Sequence, residues 1–244
     1  MDAPFNADEM KTSVNSIITY VLNGASTKLP IKERDIMQTI DKKGKLFTAA
    51  LQTVKEILKE TYGILMVAVP ESKGGKCYIC FSEDCGKSLI MLDEKQKSQL
   101  TLLFIILSFI FMRTTTSIPS ISEAHLQNFL KALHIDFDVP HEYFGSNIRK
   151  LITDTFVKQL YLKREKSNSD LETEIKYINR RSRKLVLFKK QLLFFRFCYS
   201  WGYRAHQEFD KKCLLLATAQ VMKKPAKTFR TKYIEVCKDE EDAC

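Results

Sequence analysis

The run Leu100–Met112, LTLLFIILSFIFM, constrains the fold more than any other stretch of the chain. It has no charged residue and no polar face. It is shorter than the roughly 20 residues a helix needs to span a bilayer. A helix apolar all round has to be enclosed by other elements, so the rest of the chain must supply a shell of amphipathic pieces.

Such pieces lie on both sides. Val14, Ile17, Ile18, Val21 and Leu22 recur at helical spacing within Ser13–Leu22. Pro30 interrupts the chain, and Ile31–Ile40 reads as a short second helix. A third, from Phe47 to about Tyr62, places Leu51, Val54, Ile57 and Leu58 on one face. Gly63 is positioned to end it, because glycine accepts the left-handed conformation of a helix terminus. Two β-like runs follow, Ile64–Val69 and Cys77–Phe81, separated by the turn-forming PESKGGK.

Three helices and then a hairpin is the order of a winged-helix unit. The pattern restarts at the Leu100 helix. Ser122 is a good N-cap for a helix over Glu123–Leu133. A further helix begins near Thr153 and carries Phe156, Val157, Leu160, Tyr161 and Leu162. The expected fold is mainly α with short β-hairpins, as two tandem winged-helix subdomains over 12–90 and 97–222. A last helix, DKKCLLLATAQVMKK, ends at Pro225, and 223–244 reads as a charged flexible tail.

Charge and motifs narrow the function. The net charge is +10, and residues 158–196 hold 12 Lys or Arg against 4 Asp or Glu. A basic balance attracts phosphate-rich partners. Seven cysteines at irregular spacing, behind an N-terminus without a signal-peptide pattern, point to a reducing compartment. Cys77, Cys80 and Cys85 lack the second ligand pair a zinc site needs, so no metal is expected. His125, His134, His141 and His206 form no HExxH or triad pattern, and no phosphate-binding glycine loop occurs. Neither an enzyme nor a cofactor is expected. Glu123 and Asp154 open helices, where a carboxylate complements the dipole.

Five strings in order make a more specific pattern: KLPIKERDIM (28–37), LLFIILSFIFM (102–112), ISEAHLQNFLKALHI (121–135), EYFGSNIRKLITDTFVKQLYL (142–162) and SWGYRAHQEF (200–209). Together they resemble the MAGE (melanoma-antigen) homology domain over roughly Val14–Met222. The resemblance implies tandem winged helices and a non-catalytic scaffold, of the non-SMC element type found in the SMC DNA-repair complex. The implied partners are a RING-type E3 ubiquitin ligase, a kleisin-type subunit and non-specific DNA, with no membrane. The implied location is the nucleus, with the cytoplasm as a second compartment.

The family's Leu-Leu pair on the first helix falls here on Val21 and Leu22, so the implied ligase-binding residues are Ile18, Val21 and Leu22. An apolar groove lined by Phe104, Leu107 and Phe111 is expected to take the kleisin. DNA contact is expected from Arg149, Lys150, Lys158, Lys163 and Arg164, since phosphates read clustered charge. One departure is large. Leu162 and Trp201 are separated by 38 residues, where the family uses about ten to twenty. The segment at about 173–197 is therefore read as an insertion. The rival readings are a sequence-specific winged-helix transcriptional regulator and a cytoplasmic ligase adaptor.

Overall fold

The computed structural model describes residues 6–40, 44–70, 75–84, 92–115, 119–166 and 197–241. The chain divides into two compact units. Unit 1 contains residues up to Asp93 together with Lys158–Leu160 and Tyr203–Asp210; unit 2 contains Glu94–Val157, Tyr161–Gly202 and the chain from Lys211 onward.

In unit 1, helix α1 spans Ala7–Ala25. It begins earlier than its apolar stripe because the Asn6 side chain caps the amide of Asp8, and Asp8 and Glu9 occupy the first turn. Strand β1 is Ile31–Lys32 and helix α2 is Glu33–Met37. The single helix expected over Ile31–Ile40 is thus a strand and one short helix. Ile31 pairs with Tyr78, and the Glu33 amide donates to the Lys76 carbonyl at 2.9 Å, which holds the start of this stretch extended.

Helix α3, Lys45–Tyr62, buries Phe47, Leu51, Val54 and Leu58. Gly63 ends it at φ +61°, in the left-handed region. Strands β2 (Ile64–Ala68) and β3 (Cys77–Ser82) form an antiparallel hairpin, and the sheet order is β1-β3-β2. One core joins Ile17 and Val21 of α1, Ile36 of α2, Val54 and Leu58 of α3, and Met66 and Cys80 of the sheet.

In unit 2, helix α4 spans Glu94–Arg113. It is long and apolar enough to cross a membrane by length and composition. Yet Leu102, Leu103, Ile106, Leu107 and Ile110 are at most 1 % exposed within the protein, as a core helix requires. Strand β4 (Ile121–Ser122) leads into α5, Glu123–Ala132, where the Ser122 hydroxyl accepts from the His125 amide as its sequence position suggests.

The third helical stretch, 148–158, is labelled α6. It starts earlier than expected because the Asn147 side chain caps it, and it widens into a π-helix at Leu151–Thr155. It also stops sooner. Leu160 takes φ +63°, and the Tyr161 amide returns to the Phe156 carbonyl at 2.9 Å. Leu162, expected on the helix, instead opens strand β5 (Leu162–Lys166). That strand pairs antiparallel with β6, Phe197–Trp201. The order here is β4-β6-β5.

The segment read as an insertion lies outside the described residues except for its last member. Phe197 belongs to the sheet, paired with Lys166. After α7 (Tyr203–Glu208, in unit 1) come α8 (Lys211–Val221) and α9 (Arg230–Glu241). The expected flexible tail is therefore helical over most of its described length. It is anchored by Val236 and by Lys232, whose side chain lies over the Phe111 ring.

Candidate interaction surfaces

On α1, residues 14, 17, 21 and 25 form the stripe that a period of 3.6 turns inward, and all four are buried. Val21 has no exposed surface. It belongs to the core of unit 1. Ile18 and Leu22 lie one residue further round, half-buried at the edge of that core. Tyr20, which the resemblance did not single out, is the more exposed large side chain beside them.

The α4 residues show a similar division. Phe104 is half-buried, whereas Leu107 and Phe111 are enclosed. The Trp201 indole N–H donates to the Leu107 carbonyl at 3.0 Å, and its ring lies 6.1 Å from that of Phe111. The Lys232 ammonium sits 4.5 Å above the Phe111 ring centre. Leu107 and Phe111 are thus packed by the chain's own residues rather than lining an open groove. The sequence showed an apolar stripe but not what would cover it. Phe109 is likewise engaged, stacked on Phe129 with centroids 3.9 Å apart.

The basic residues expected to contact DNA have different surroundings. Arg149 makes a two-pronged contact with Asp138, at 2.6 and 2.8 Å, and lies 3.6 Å from Glu123. Arg164 reaches the same Glu123 at 3.1 Å and stacks over the Phe197 ring at 3.5 Å. Lys163 pairs with Glu165 at 3.0 Å. Lys150 is exposed on α6 in unit 2, while Lys158 belongs to unit 1.

Arg149 and Arg164 are brought together on Glu123. Glu123 is 2 % exposed, so its helix-opening place also makes it the buried centre of a partly exposed ion cluster. That role needed tertiary contacts to become visible. The hydrogen bond from Arg149 holds the Asp138 carboxyl below its ordinary range. Burial first, and then the neighbouring Glu123 charge, push the Tyr199 phenol up to about 12.

Unit 1 has a buried cation of its own. Arg204, 1 % exposed, donates to the carbonyls of Lys28 (2.9 Å), Cys80 (2.8 Å) and Gln159 (2.9 Å), and to the Glu208 carboxylate at 2.8 Å. Lys28 adopts φ +58° where it presents that carbonyl. The Arg-Ala string marked the position in the sequence, but nothing local named its acceptors. Cys80, inside this core, has its thiol pushed up to about 11 by burial.

Comparison with known proteins agrees with this architecture. The chain is 28% identical over 226 residues to melanoma-associated antigen D2 from Homo sapiens, covering 91% of this chain and 32% of that protein. It is 27% identical over 227 residues to human trophinin, covering 93% of this chain and 14% of that protein. The chain therefore spans less than a third of the length of either relative. It is also 25% identical over 243 residues to the human non-structural maintenance of chromosomes element 3 homolog, covering 98% of this chain and 70% of that protein. A chain of a solved Nse1-Nse3-Nse4 complex shares the fold, with TM-score 0.73 and 24% identity, over 95% of this chain and 99% of that one. The MAGE homology domain profile matches residues 17–77 and 86–212, and the chain belongs to that family.

Proposed function

We propose that this protein is a non-catalytic scaffold subunit of the non-SMC element type, acting in the nucleus within an SMC-type DNA-repair complex. One observation carries the reading. The chain is 25% identical over 98% of its length to the human element 3 homolog, and its fold matches a chain of an Nse1-Nse3-Nse4 complex at TM-score 0.73. The element order of each unit, with its three-stranded sheet, supports two tandem winged-helix subdomains.

In this reading a RING-type E3 ubiquitin ligase docks on α1 at Ile18 and Leu22, with Val21 supporting that face from the core. Ubiquitin transfer belongs to the ligase, whose activity the scaffold stimulates. A kleisin-type segment takes the α4 region of Phe104, Leu107 and Phe111, which requires movement of the covering Trp201 and Lys232 side chains. DNA contact is non-specific.

The test is affinity capture from nuclear extract with the wild-type chain and with Ile18→Asp plus Leu22→Asp, read by mass spectrometry. The variant is first checked for an unchanged thermal transition. The expected result is recovery of a RING protein and SMC-complex subunits by the wild type, with the RING protein lost from the variant. Capture of neither set, with sequence-dependent retention of DNA, would replace the scaffold by a transcriptional regulator.

A further inference from the structure

Unit 1 has an open pocket of about 330 Å³ where α1 meets the end of α2 and the start of α3. Its α1 wall carries Asp8, Glu9, Thr12, Ser13 and Ser16, which the helical repeat puts on one side of the helix. Ile40 and Leu46, both buried, supply its apolar part. At about 100° per residue, Ile18 and Leu22 fall on the other flank of the buried α1 stripe. The pocket is therefore separate from the face proposed for the ligase.

The hydroxyls around this pocket divide into two kinds. Thr12 donates to the Asp8 carbonyl at 2.8 Å and Thr39 to the Ile36 carbonyl at 2.7 Å, the usual local outlet for a helical hydroxyl. Ser13 and Ser16 make no side-chain hydrogen bond among the described residues. Ser13 is only 9 % exposed and lines the pocket. At that burial a hydroxyl is expected to be bonded, and the pocket is where its partner has to come from.

The carboxylates decide the sign of that partner. Asp8 and Glu9 only accept hydrogen bonds, and serine hydroxyls accept as well as donate. A helix N-terminus by itself favours anions, but two carboxylates outweigh its partial positive charge of roughly half an elementary unit. The wall is thus net negative in a chain whose overall charge is +10. An ammonium group brings three donors and no acceptor. The methylene stem of a lysine packs along apolar surface of the kind Ile40 and Leu46 provide.

We propose that this pocket binds a lysine side chain from a peptide segment of a partner protein. Its ammonium is held by Asp8, Glu9 and the hydroxyls of Ser13 and Ser16, and its stem lies against Ile40 and Leu46. The proposal stands independently of the ligase, kleisin and DNA contacts.

The experiment titrates the ¹⁵N-labelled full chain with a short acetylated and amidated peptide containing one central lysine, and with the same peptide carrying norleucine there. Saturable shifts of the Ser13, Ser16 and Ile40 amides are expected with the lysine peptide and not with the norleucine peptide. D8N/E9Q should weaken the lysine peptide about tenfold at low salt. S13A should weaken it about threefold. The same variant should leave the melting temperature unchanged or raise it, because the hydroxyl it removes has no partner among the described residues. A folding defect would lower both.

No saturable shift at these amides with the lysine peptide, or equal binding of the norleucine peptide, overturns the proposal. A lowered melting temperature in S13A also overturns it, because the hydroxyl would then be serving the fold. Displacement of the lysine peptide by magnesium chloride, beyond that by sodium chloride of equal ionic strength, overturns it in favour of a metal site.

Discussion

The two units share an element order but stabilise it with opposite buried charges. Each has a helix, a two-residue strand, a further helix, a third helical stretch and an antiparallel hairpin whose second strand is central in the sheet. Unit 1 buries a cation, Arg204, against three backbone carbonyls and Glu208. Unit 2 buries an anion, Glu123, between Arg149 and Arg164. The carbonyls around Arg204 are backbone groups that no side-chain change removes. The partners of Glu123 are side chains, one of them shared with exposed Asp138. Topology therefore leaves the chemistry of the buried polar group open, but it requires that group to be paired, because an unpaired charge in a core is costly.

The hairpins differ as well. Residues 69–76 join β2 to β3, whereas residues 167–196 join β5 to β6. The register holds in both cases, Ala68 opposite Tyr78 and Lys166 opposite Phe197. Loop-closure cost rises only slowly with length, so a long connection is compatible with an intact ladder.

This comparison can be broken at several points. Arg204→Ala should have the largest effect, about 3 kcal/mol in urea denaturation, because three carbonyls and Glu208 lose their donor at once. A loss below about 1 kcal/mol would show that the arginine is replaceable by water.

Glu123→Ala should cost about 2 kcal/mol. It leaves Arg149 with Asp138 and Arg164 on Phe197, so the damage is partly absorbed. The double variant Glu123→Ala with Arg164→Ala should cost less than the sum of the two single changes, as expected for groups in one cluster.

Asp138→Asn should cost roughly 0.5 kcal/mol, since the pair is largely exposed and screened. Its pH dependence has a definite sign. The Asp138 carboxyl is held low by Arg149, so its contribution is complete above the ordinary carboxylate range and fades as pH falls through the lowered value. The difference between wild type and Asp138→Asn should therefore shrink on acidification, as followed by melting temperature between about pH 6 and pH 2.

The smallest loss is expected from deleting residues 173–193, which leaves Phe197 in place. Stability should be unchanged or rise by up to about 1 kcal/mol, the closure cost saved by a shorter connection. Loss of cooperative unfolding would show that the segment is structural in unit 2 and would deepen the contrast between the hairpins.

Periodicity and turn chemistry alone determined much of this protein. The stripe of α1, the core face of α3, the Gly63 stop, the Ser122 cap and the β2–β3 hairpin follow from local rules, because each depends on residues a few positions apart. The order of five strings carried the family for the same reason. Tertiary structure decided the rest. Only distant pairing makes Ile31 and Leu162 strand residues, encloses Val21, Leu107 and Phe111, gives Arg204 its carbonyl acceptors, and turns Glu123 into the partner of two arginines. The physical cause is that an apolar or charged side chain states in sequence what it must avoid or seek, while its actual partner is set by residues tens of positions away.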